Sequence, residues 1–76
     1  MKKKLSIMVV DDESIVRESL YHWFIKSGHT VDTAASGFEA LEKLEQIPFD
    51  ILFVDIKMPG MDGIELLKKV KSAYPD

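Results

Sequence analysis

The chain has no cysteine, so neither a disulfide framework nor a thiolate metal site is open to it. That absence is compatible with a reducing compartment, and the expected location is the cytoplasm. No apolar run approaches the roughly 20 residues needed to cross a bilayer, so no membrane partner is expected. The amino-terminal Lys2-Lys3-Lys4 leads into Leu5-Ser6-Ile7-Met8-Val9-Val10, which Asp11-Asp12 stops at once. This stretch is too short for a signal segment and reads as a buried strand with a solvated start. A basic stripe with interleaved aromatics is also missing. The 10 lysines and arginines are scattered among 13 acidic residues, for a net charge of −3. Direct nucleic-acid binding by this segment is therefore not expected.

What is present fits one small domain. The 76 residues are 46% hydrophobic and 30% charged, as in a globular chain rather than a disordered one. At this size only about 60% of the unfolded surface is buried on folding, so stability is marginal.

The apolar period changes along the chain. Leu5 to Val10 is almost continuously apolar, as expected of a strand covered on both faces. From Glu13 to Ser27 the period is helical, with Val16, Leu20, Trp23 and Phe24 on one stripe. Gly28 is a natural stop, because glycine adopts positive φ without steric cost. Thr30 to Ala34 reads as an edge strand. Ser36-Gly37-Phe38-Glu39 has the spacing of a capping box. The helix it opens carries Ala40, Leu41, Leu44 and Ile47 inward and ends at Pro48. Ile51 to Val54 is a third strand. Asp62-Gly63-Ile64-Glu65 marks another helix start, and Leu66, Leu67, Val70 and Tyr74 form its apolar side before Pro75. Strand and helix alternate three times, which predicts a parallel sheet with right-handed crossovers.

Three aspartates end two of these strands. Asp11 and Asp12 follow the first, and Asp55 follows the third. In open parallel sheets ligands bind beyond the carboxyl ends of the strands, where the winding reverses. If the first strand lies between the other two, that reversal falls between the two strands that end in aspartate. Carboxylates alone, with no His or Cys nearby, suit Mg²⁺, with Mn²⁺ as an alternative, and not zinc. A carboxylate there can also attack phosphorus and hold it as an aspartyl phosphate. Taken singly, each residue has a plainer reading: Asp12 and Asp62 as helix caps, Asp55 as a loop residue. The joint placement favours the site.

The chain resembles the receiver domain of two-component response regulators. The resemblance rests on Val9-Val10-Asp11-Asp12-Glu13, on Ser36-Gly37-Phe38-Glu39-Ala40-Leu41, and on Phe49 to Gly63, including Asp55-Ile56-Lys57-Met58-Pro59-Gly60-Met61-Asp62-Gly63. It implies an α/β, flavodoxin-like (CheY-like) fold, here a three-stranded parallel sheet of order 2-1-3 with flanking helices. It implies that Asp55 is the phosphoacceptor, and that Asp12 and Asp55 hold Mg²⁺ with the backbone carbonyl of Lys57. Asp11 would act through a metal-bound water. Pro59 and Gly60 would shape the loop. The partner implied is a sensor histidine kinase, and the role is two-component signal transduction rather than enzymatic turnover. An aspartate-nucleophile phosphatase is the enzymatic alternative. It is disfavoured because Lys57 stands where such enzymes place a second aspartate.

A full receiver has five β-α units, and this sequence, residues 1–76, holds three. The hydroxyl residue and the lysine that follow the fourth and fifth strands in that family have no counterpart here. Neither Lys57, Lys71 nor Ser72 takes their place. The expectation is a truncated receiver in which phosphoryl acceptance is impaired. A third strand left as an edge, beside a first helix alone on its face, predicts self-association, for instance as a dimer. The alternative function is accordingly an assembly module with an idle acidic pocket.

Overall fold

The computed structural model describes residues 4–55 and 60–73. Its elements run β1 (Ser6–Val10), α1 (Ser14–Lys26), β2 (Thr30–Ala34), α2 (Gly37–Gln46), β3 (Ile51–Val54) and α3 (Gly63–Ala73). The three strands form one sheet in the order β2-β1-β3, and both pairings are parallel. The expected alternation and strand order are therefore both present.

β1 is the centre of the fold. Met8, Val9 and Val10 are fully buried and Ile7 is 2% exposed. An unbroken apolar strand is needed there because helices cover both of its faces. Each such side chain contributes roughly 1.5–3 kcal/mol relative to exposure. On one face Met8 and Val10 join Ala34, Ala40, Met61 and Leu66 in the core, with Leu41, Leu44, Phe49, Val54 and Val70 against it. That face carries α2 and α3. On the other face, α1 packs on β1 and β2.

The two faces are not equally covered. Ile51 and Phe53 pair in register with Ile7 and Val9, on the α1 side of the sheet. From α1, the Phe24 ring lies 5.8 Å from that of Phe53. Phe53 stays 47% exposed. The α1 stripe is less buried than its spacing suggests. Leu20 and Phe24 are half-buried, but Val16 is exposed and Trp23 is 63% exposed, stacked at a tilt on Phe24. Among the described residues α1 packs chiefly on β1 and β2, and a helix resting on one sheet surface buries a narrow stripe. Two further expectations are corrected. Ile47 is the exposed C-cap of α2 rather than an inward residue, and Leu67 points outward from α3. Tyr74 and Pro75 lie outside the described residues.

Local signals explain the turns. Gly28 has φ +96° where α1 ends, as its position predicts. Ser36 Oγ accepts from the Glu39 N–H at 3.1 Å. Glu39 reaches back to the N–H of Ala35 at 2.9 Å, one residue earlier than in the usual capping box. At the opposite end of the sheet Asp50 clamps β1: its carboxylate and its N–H both bond the Ser6 backbone at 2.8 Å.

Candidate metal centre

The carboxyl ends of β1 and β3 bring the three aspartates together. β3 is in register with β1 up to the pair Val10–Val54. The next N–H, that of Asp55, donates to the carbonyl of Val10 at 2.9 Å. Asp55 therefore leaves β3 beside the point where Asp11 leaves β1. Carboxylate oxygens of Asp11, Asp12 and Asp55 all lie within 4.8 Å of one another. Asp11 is 7% exposed, Asp12 is exposed and Asp55 is half-buried.

Asp11 is held from three directions. Its N–H donates to Ala34 O at 3.1 Å, which ties it to the end of β2. Its Oδ1 accepts from the Glu13 N–H at 2.9 Å, which turns the chain into α1. Its carbonyl accepts from Arg17 Nη1 at 2.8 Å. The N-cap of α1 is Glu13, whose side chain makes no capping bond. Asp12, which alone could have been read as that cap, sits one residue too early for it. Asp62, by contrast, is a cap: its Oδ1 accepts from the Glu65 N–H at 2.8 Å at the start of α3. Gly60, with φ +84°, turns the chain toward it. Lys57, whose carbonyl is the further ligand implied by the resemblance, lies outside the described residues, as do Met58 and Pro59.

The donor set fits a hard divalent cation. Every donor is a carboxylate oxygen, and no histidine or cysteine joins the cluster. Two direct Mg²⁺ ligands can stand at most about 4.2 Å apart, because each bond is 2.0–2.1 Å long. A spread of up to 4.8 Å thus suits two direct carboxylates and a third joined through water. Three like charges at this spacing repel, and a cation relieves that repulsion.

A second charged group supports the β2–α2 side. Lys43 Nζ donates to Asp32 Oδ1 at 3.0 Å and to Thr33 O, and lies 3.4 Å from Glu39 Oε2. The hydrogen bond from Ala35 N–H holds the Glu39 carboxyl below its ordinary range, against a smaller upward push from burial. Lys43 and then Arg17 add to the lowering. For Lys43 burial pulls the ammonium down, but the bonds and charges of Asp32 and Glu39 outweigh it and leave it raised.

Two contributors are not evident from motif spacing. Arg17 carries a signal in hindsight: a cation near a helix N-terminus opposes the helix dipole and needs a local partner. Met61, in the loop before α3, is a 2%-exposed core residue. Its Sδ lies 2.7 Å from where a Cβ on Gly37 would be, so the loop and α2 meet only because residue 37 is glycine.

Residues 7–76 match the family described as the response regulator receiver domain. The chain is 44% identical over 69 residues to the DNA-binding transcriptional regulator NtrC of Escherichia coli, covering 91% of this chain and 15% of NtrC. Its fold superposes on Vibrio cholerae CheY4 with TM-score 0.90 and 35% identity, covering 93% of this chain and 59% of CheY4. It superposes on Thermotoga maritima TrrA, crystallised with Mg²⁺ and BeF, with TM-score 0.88 and 37% identity, covering 96% of this chain and 63% of TrrA. The chain thus spans less than two thirds of each of these three relatives. With its CheY-like sheet order and its acidic strand ends, the chain belongs to the response regulator receiver domain family.

Proposed function

We propose that this chain is a Mg²⁺-dependent phosphoacceptor in two-component signalling, with Asp55 as the acceptor. The observation that carries the reading is the gathering of Asp11, Asp12 and Asp55 within 4.8 Å at the ends of two adjacent parallel strands. Asp12 and Asp55 would hold the cation directly and Asp11 through water, with the carbonyl of Lys57 as the further ligand the resemblance implies; Mn²⁺ would substitute. The cation supplies charge neutralisation, which lets an anionic donor approach an anionic nucleophile. The TrrA crystal with Mg²⁺ and BeF supports that choice.

The donor is a phosphohistidine on a sensor histidine kinase. An Asp55 carboxylate oxygen forms the new P–O bond as the P–N bond of the donor breaks. The imidazole leaves with the bonding electron pair and takes a proton from solvent. The product is an aspartyl phosphate on the chain itself, so the protein is a substrate of the transfer and not an enzyme with turnover. The signal controls transcription, as in the relative named a DNA-binding regulator, through segments other than this one. The test is intact mass after incubation with acetyl phosphate and Mg²⁺. One added phosphoryl group, absent in Asp55→Asn, supports the reading. Equal phosphorylation of Asp55→Asn contradicts it.

A second reading, self-association, is favoured by one surface. β3 is a sheet edge among the described residues; its Ile51 and Phe53 are exposed, as is Trp23 on α1. A second copy pairing along β3 would cover an apolar surface of a few hundred Å², about the size monomers rarely leave open. Sedimentation that depends on concentration, is lost in Phe53→Lys and ignores Mg²⁺ would mark assembly as the main role.

A further inference from the structure

We infer that Arg17 is a positioning residue for the acidic site: by holding the Asp11–Asp12 peptide it keeps the Asp12 carboxylate against those of Asp11 and Asp55. The inference rests on the metal-binding reading above. A peptide unit is planar, so fixing its carbonyl fixes the N–H on its other side and limits where the next Cβ can point. The carbonyl held by Arg17 Nη1 at 2.8 Å belongs to the peptide that leads into Asp12. Asp11 has two further anchors, through its N–H to Ala34 and through its Oδ1 to Glu13. Asp12 is exposed and lies beyond the end of β1, and it inherits its direction from that peptide.

The location of Arg17 supports this role. It is half-buried on the first residues of α1, where the helix dipole disfavours a cation. α1 has no side-chain cap, so the bonds through Asp11 are what tie its start to the sheet. Freed of Arg17, a carbonyl beside a 7%-exposed residue would lose its partner, and the peptide could rotate to seek water.

Arg17 is also a positive charge near three carboxylates, and the two roles have opposite signs. If Arg17 acted only as a charge, its removal would tighten binding of a divalent cation. If it positions Asp12, its removal weakens that binding. Substitutions behind metal ligands typically cost 10–100-fold in affinity.

The experiment is a Mg²⁺ titration of the 76-residue chain, followed by amide ¹H–¹⁵N shifts and thermal unfolding. It compares the wild type with Arg17→Met, Arg17→Lys and Asp12→Ala. The wild type binds, Asp12→Ala does not, Arg17→Met binds about ten-fold more weakly, and Arg17→Lys regains part of the loss. Without metal, the Asp12 amide shift moves and its exchange quickens in Arg17→Met. A folded Arg17→Met that binds Mg²⁺ as tightly as the wild type, or more tightly, overturns the inference while leaving the metal site standing. A wild type that does not bind Mg²⁺ overturns the metal reading and this inference with it. Should Arg17→Met not fold in EDTA, the wild-type guanidinium decides: slowed Nη rotation on cooling supports a pinned Arg17, and free averaging overturns it.

Discussion

The N–H of Asp55 donates to the carbonyl of Val10 at 2.9 Å, so the last backbone bond between β3 and β1 immediately precedes the carboxylates they present. The site is thus an extension of strand pairing. Slipping β3 by one residue would turn Asp55 to the other side of the sheet and exchange Leu52 and Val54 for Ile51 and Phe53 against the core.

Repulsion inside the cluster predicts that the metal-free protein is stabilised by removing a charge. Asp55→Asn should raise stability in EDTA on the order of 0.5–1 kcal/mol, since these charges are partly screened by water. The gain should shrink in molar salt, where the Debye length is about 3 Å. Urea unfolding at low and high salt measures both. A loss of stability in EDTA would show that Asp55 is held by contacts stronger than the repulsion.

The close approach of Gly37 and Met61 predicts a coupled pair. A methyl at residue 37 would meet Met61 Sδ at 2.7 Å, with Met61 Cγ and Cβ also tight at 3.1 and 3.2 Å. Gly37→Ala should cost about 1–3 kcal/mol through overpacking, although alanine is the better helix former. In a Met61→Ala background most of that cost should vanish. A double-mutant cycle by urea unfolding measures the coupling.

Glu39 and Lys43 predict opposite limbs of the pH–stability curve. The Glu39 carboxyl lies below its ordinary 4.5 in the folded chain, so the native state binds fewer acid protons than the unfolded one. Its contribution is complete above 4.5 and is lost as pH falls through the lowered value. Lys43 is raised above 10.5, so its contribution is complete below 10.5 and is lost as pH climbs through the higher value. Glu39→Gln should therefore flatten the acid limb and leave most of the alkaline one. Ser36→Ala, which removes the facing cap, should cost about 1 kcal/mol at all pH values. Urea melts across the pH range check both.

Most of the fold was legible because its signals are local. β2 and β3 fall at the expected residues, and β1 and α1 differ by single residues at their ends. Two aspartates after β1 and one after β3 sufficed to place the cluster, because topology alone decides which strand ends meet. The less legible residues depend on what covers them. Trp23 and Leu67 lie on helical stripes that periodicity assigns inward, yet both stay exposed among the described residues. Arg17 acts through a loop carbonyl six residues before it, and Met61 through a glycine far from it in sequence. No spacing rule records such contacts.

In the proposed function Asp12 and Asp55 share one divalent cation. Mg²⁺ titration of the wild type, with amide shifts read residue by residue, tests it most directly. A shared cation should give saturable shifts centred on Asp11, Asp12 and Asp55, a rise in melting temperature with Mg²⁺, and loss of both in Asp12→Ala. At a hundred-fold excess over Kd the stabilisation should reach about 2.7 kcal/mol. Shifts confined to other acidic residues, or a response unchanged in Asp12→Ala, would contradict it.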